Sequence, residues 1–260
     1  MNRPALLIWN GPATGPLPVS SFIHICGLMD SMYFQSTKHP WPSLLFVLTL
    51  LLGYEMAMWY EAQQGVTALR SGLDAWLGSY CQQMGWTAEY LPSVFLALIC
   101  LGWAVIRWDR SPPESLGTLF GMFLESLLFA LALWGLGMIL TAQWNQLGIP
   151  IATRSMKAIA LMGSGVFEEV LFRLLGFGLM LWLLKLVSAE RSAMILAVVL
   201  SAGIFAGAHH LGPYGEAWQW QIFGFRFLAG GCFALIFYYR GLGIAVGTHS
   251  AYNFFIGLMN

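Results

Sequence analysis

The sequence predicts an all-α fold, a polytopic transmembrane helical bundle of about seven spans, six to eight if one is miscounted. Three observations carry that prediction. Of 260 residues, 58% are hydrophobic and only 9% charged, whereas an average soluble domain is about 25% charged. The chain therefore lacks the polar surface to coat a water-exposed globule of its size. Mean hydropathy is +0.69. The apolar residues also gather in windows close to the ~20 residues that a helix needs to cross a ~30 Å hydrocarbon layer.

Taken in order, the windows are 41–59, 90–108, 117–141, 157–185, 191–210, 221–239 and 242–259. Charges and turn formers separate them. Arg110-Ser111-Pro112-Pro113-Glu114 closes the second, Leu147-Gly148-Ile149-Pro150 follows the third, and Arg240-Gly241 divides the last two. Residues 60–89 are more polar, with Glu61, Gln63, Gln64, Arg70, Asp74, Gln82 and Gln83. They are expected outside the hydrocarbon or along its surface, where residues 1–40 can also hold an interfacial helix. The expected organisation is an N-terminal segment 1–40, N-terminal spans with a polar loop over 41–157, and a core over 158–257. The first forty residues contain no compact apolar run ending in a small-residue cleavage site, so no removable signal peptide is expected.

Charge sets the orientation. With the N-terminus inside, Arg3, Lys38, Arg107, Arg110, Lys185, Arg191 and Arg240 lie inside, and Arg70, Arg154 and Lys157 outside. That bias predicts N-in and C-out, for a multi-pass protein expected in a bacterial cytoplasmic membrane. The 12 Lys+Arg balance 12 Asp+Glu, which leaves no basic patch for a nucleic-acid partner and no long-range steering. Cys26, Cys81, Cys100 and Cys232 are scattered without a CxxC pair, which excludes a disulfide framework. The lipid bilayer is the partner that the composition requires.

Ionisable side chains in hydrocarbon are costly, ~2.5–3.5 kcal/mol each on insertion scales, so each one present needs a reason. They are Glu55, Glu125, Glu168, Glu169, Arg173, His209, His210, Arg226 and His249, joined by Asn253. Most lie in the last hundred residues. Residues four apart on a helix share a face, so Glu169 is expected to pair with Arg173, leaving Glu168 free of that counter-ion. Phe205 and His209 share a stripe, as do His249 and Asn253. Arg226 is expected to snorkel or to pair with a buried acid such as Glu125.

A glutamate with a histidine can activate a water as general base. A second histidine with an asparagine amide supplies donors where an oxyanion develops. That is equipment for hydrolysing a peptide bond by direct water attack. Glu168, His209 and His249 would also make a His₂Glu set for zinc, although HExxH is absent. Serine or cysteine nucleophiles fit less well. Ser164 and Ser250 sit near the motifs, but there is no GxSxG elbow and no acid placed to orient a base.

Glu168-Glu169-x-x-x-Arg173, Phe205-x-x-x-His209 and His249-x-x-x-Asn253, in that order on hydrophobic helices, resemble the CPBP family. These are the CAAX-protease and bacteriocin-processing intramembrane proteases, also called Abi proteins. The resemblance covers roughly residues 158–257, including the turn Tyr239-Arg240-Gly241-Leu242-Gly243. It implies an intramembrane endopeptidase acting on a membrane-anchored protein or peptide. Glu168 would be the water-activating glutamate and His209 its partner. His249 and Asn253 would form the oxyanion site, with Glu169 and Arg173 in support. His210 directly follows the motif histidine, and the Phe205 spacing favours His209. The family has been described both as metal-dependent and as glutamate-dependent, and the expectation here is no cofactor. A non-catalytic immunity or regulatory protein of the same fold is an alternative, and a proton-coupled transporter a more distant one.

Overall fold

The computed structural model describes residues 32–64, 70–107, 116–140, 151–211, 215 and 217–259. The expectations for residues 1–31, for Arg110 and for the breaks at 110–114 and 147–150 lie outside the described residues, as do the side chains of Arg154 and Lys157. The described residues are helical with no strand. A short helix over 32–38 precedes α1 (Pro40–Gln63), α2 (Gly72–Gln83), α3 (Leu91–Ile106) and α4 (Leu116–Leu140). Then α5 (Ile151–Glu169) runs through a π-helical stretch, Val170–Phe177, into α6 (Gly178–Lys185). The chain ends with α7 (Glu190–Ala208), α8 (Trp220–Arg240) and α9 (Leu242–Met259).

Local sequence explains several starts. Prolines stand in the first turns of α1 and α3, where no backbone N–H partner is needed. Ser71 caps α2 by accepting from the Asp74 backbone N–H at 3.3 Å, and Asp74 adds negative charge to that first turn.

Among the described residues, four helices are long and apolar enough to cross a membrane: α1, the Leu116–Ile139 part of α4, α7 and α8. Helix α3 is apolar but shorter. The two remaining predicted windows, 157–185 and 242–259, are helical too, but they carry the polar motifs. Their surroundings differ accordingly. Every residue of α9 from Leu242 to Ser250 is buried, which marks a helix enclosed by protein. Its neighbours are α5, α4 and α1.

Glycines let α5 and α9 touch. A Cβ on Gly165 would stand 2.6 Å from the Ser250 backbone nitrogen, and one on Gly257 would stand 2.4 Å from the Ala158 Cα. The pairing of 165 with 250 and 158 with 257 makes the two helices antiparallel. On the other side of α5, a Cβ on Gly163 would stand 2.4 Å from the Tyr54 ring. Small residues of this kind permit close backbone approach in membrane bundles. Gly165→Ala is therefore expected to destabilise the fold by about 1–3 kcal/mol, read as a lower thermal unfolding midpoint in detergent. Gly53→Ala, where the space is open, should leave the midpoint unchanged.

Two ionic clusters explain intramembrane charges outside the motifs. Arg70 bonds Glu55 at 3.1 Å and Asp74 at 2.8 Å; Tyr54 donates to Asp74 at 2.7 Å, and Ser93 donates to Glu55. This cluster ties α2 to α1 and α3. Glu125 pairs with Arg240, not with Arg226, through Nε at 2.5 Å and Nη2 at 2.7 Å. Tyr33 donates to the same carboxylate at 2.8 Å. The reason is position along α8: Arg240 closes that helix level with Glu125, whereas Arg226 lies roughly 20 Å away, where α8 packs beside Leu133 and Gly137 of α4. Gly241, at φ +94°, makes the turn into α9, and a Cβ there would stand 2.6 Å from the Thr37 carbonyl oxygen.

Candidate active site

Glu168 lies at the end of α5, where the α-helix widens into the π-helical stretch. Such widening recurs at functional sites. Its Oε1 accepts from the Ser164 hydroxyl one turn earlier. Its Oε2 lies 3.5 Å from His209 Nε2 and 3.8 Å from His249 Nε2. The carboxylate expected to be free of Arg173 thus faces two imidazoles. They come from α7 and α9, which periodicity along α5 alone does not reveal.

The hydrogen bonds settle which nitrogens carry protons. His209 Nδ1 is 2.8 Å from the Phe205 carbonyl oxygen, which can only accept, so Nδ1 donates. His249 Nδ1 is 2.7 Å from Glu169 Oε1, and it donates there to a carboxylate. In each neutral ring Nε2 is then an acceptor. Two nitrogen lone pairs and one carboxylate oxygen converge, and such a set is satisfied by a shared proton or by a water donating both of its hydrogens.

Glu169 corrects the expectation that no acid orients a base: one oxygen holds His249, and the other lies 3.2 Å from Arg173 Nε. Glu169 and Arg173 are fully buried. Arg173 Nη2 donates to the Gly230 carbonyl at 3.2 Å, and its guanidinium lies 4.3 Å from the Phe205 ring centroid. Phe205 also packs edge-on to the His209 ring at 4.7 Å. Asn253 Nδ2 donates to the Leu161 carbonyl at 3.1 Å, two turns of α5 before Glu168, roughly 10 Å along the helix; the second hydrogen of that amide remains for another acceptor.

Two contributors escaped sequence reasoning. Phe233 on α8 stacks on the His249 ring with centroids 4.3 Å apart and planes at 18°. No sequence signal distinguishes it from other core phenylalanines. Ser164 was weighed only as a nucleophile, although its spacing of four from Glu168 already put both on one face.

Among the described residues, no three His, Cys, Asp or Glu side chains are arranged to hold a metal ion together. Separately, α2, α3 and the Phe167–Leu175 stretch line an apolar cavity of about 310 Å³. Its walls include Trp76, Tyr80, Phe95, Phe167 and Leu171.

Fold and site define an integral membrane helical protein whose buried acid, imidazoles and guanidinium meet between helices. Residues 150–255 match a family described as type II CAAX prenyl endopeptidase Rce1-like. That match spans about two fifths of the chain and supports assigning this segment to the CAAX-protease (CPBP) family and to a protease-type activity. No curated protein matches the chain, and neither does any solved structure. The match does not favour the immunity or transporter alternatives.

Proposed function

We propose that the protein is an intramembrane endopeptidase that hydrolyses a peptide bond of a membrane-anchored protein or peptide, with water activated by Glu168 and His209. The observation that carries this reading is the convergence of Glu168 Oε2 with the Nε2 atoms of His209 and His249. A water between them donates to Glu168, attacks the scissile carbonyl and leaves its proton on the Glu168–His209 pair. That proton then passes to the departing amine. The developing oxyanion takes donors from Asn253 and from His249, whose Nε2 takes a proton from solvent before the attack and returns it after product release, with Glu169 stabilising the imidazolium. The apolar cavity walled by Phe167, the residue before Glu168, suits the hydrocarbon part of the substrate's anchor.

The test compares membranes holding wild type, Glu168→Gln or His209→Ala. Membrane-anchored proteins should accumulate uncleaved with both variants and be processed normally with Arg226→Ala. Processing that continues in Glu168→Gln would sink the proposal. We propose further that the water is activated without metal, so activity should survive exhaustive chelation. Loss on chelation, with recovery on adding zinc alone, would overturn this.

A further inference from the structure

Helix α5 carries a hydroxyl whose placement the family motifs leave unexplained. A serine inside a helix commonly returns its hydroxyl to the carbonyl one turn earlier. Thr49 does this with Leu45 inside α1, and Ser188, just past the end of α6, does it with Leu184, both at 2.8 Å. Ser164 instead turns forward and donates to Glu168 Oε1. It is itself buried. The backbone on either side is clamped, by Tyr54 against Gly163 and by Ser250 against Gly165. The helix can neither rotate nor slide there, so packing from α1 and α9 aims the hydroxyl.

Resting on the reading of Glu168 as the base, we propose that Ser164 is a positioning residue: it grips Glu168 by Oε1 and so presents Oε2 to the imidazoles and the attacking water. The physical need is clear. Attraction between the carboxylate and an imidazolium disappears when Glu168 takes a proton, whereas a hydroxyl hydrogen bond persists through that change. A glutamate with three rotatable bonds otherwise has nothing on Oε1 to hold it through the cycle. Misplacement of a reacting group by about 1 Å can cost 10²-fold in rate.

The test uses the full-length protein in detergent and a quenched fluorescent peptide ending in a prenylated CAAX sequence. Ser164→Ala should lower kcat at least about tenfold with KM within about twofold, and Ser164→Thr, which keeps the hydroxyl, should recover most of kcat. Glu168→Gln marks the floor. If it turns over like wild type, the reading of Glu168 fails and the role of Ser164 falls with it. If it is inactive while Ser164→Ala keeps wild-type kcat, or while Thr is as poor as Ala, the positioning role alone is wrong. Thermal unfolding gives a substrate-free check through a double-mutant cycle. Ser164→Ala should lower the midpoint less in a Glu168→Ala background than in wild type. An equal loss in both backgrounds would reduce Ser164 to a packing residue and overturn the proposal.

Discussion

Glu168→Gln is expected to fold as wild type does and to lose turnover by about 10²–10⁴-fold, the range typical of a positioned general base. Glutamine matches glutamate in size, and its carbonyl oxygen can still accept from Ser164, which donates to Oε1 in the native protein. Its amide cannot take a proton from water, and it presents hydrogens toward His209 and His249 where the native side chain presents a lone pair. Site geometry is retained while base chemistry is removed. The measurement is initial rate together with unfolding midpoint on the same detergent-solubilised sample. A variant with normal midpoint and normal rate would remove Glu168 from the mechanism.

Glu169→Ala is expected to behave differently, through the fold itself. Glu169 holds Arg173 at 3.2 Å and His249 at 2.7 Å, and both Glu169 and Arg173 are fully buried. Removing the acid strands a guanidinium whose other neighbours include the Gly230 carbonyl and three phenylalanine rings. Breaking a buried pair from one side costs about 3–5 kcal/mol, and the unfolding midpoint should fall on the order of 10 °C. Activity should fall as well, because the His249 ring loses the partner that sets its tautomer. If Glu169→Ala and Glu168→Gln unfold at the same temperature, the two carboxylates do not divide their work in this way.

The contrast between these adjacent glutamates shows how far the sequence could be read. The pairing of Glu169 with Arg173 follows from four-residue spacing along one helix, a local rule. That Glu169 also grips His249, eighty residues on, follows from no local rule. The same limit explains Glu125: its counter-ion had to be an arginine, but the choice of Arg240 over Arg226 depended on which end of α8 lies level with Glu125, the Arg226 end packing instead near Leu133 and Gly137 of α4. It also explains Phe233, whose stacking on His249 exists only because α8 and α9 lie together. The helices over 157–185 and 242–259 were placed by their apolar character, yet their enclosure within the bundle came from glycine contacts with α1 and from the mutual approach of α5 and α9.

Composition and spacing alone determined that this chain belongs in a bilayer and which polar side chains must turn away from lipid, because hydrocarbon penalises each such group wherever it occurs. Only the three-dimensional packing decided which oxygen meets which nitrogen. That choice rests on backbone approach at Gly163, Gly165 and Gly257, and contacts between distant segments leave no periodic trace along the chain.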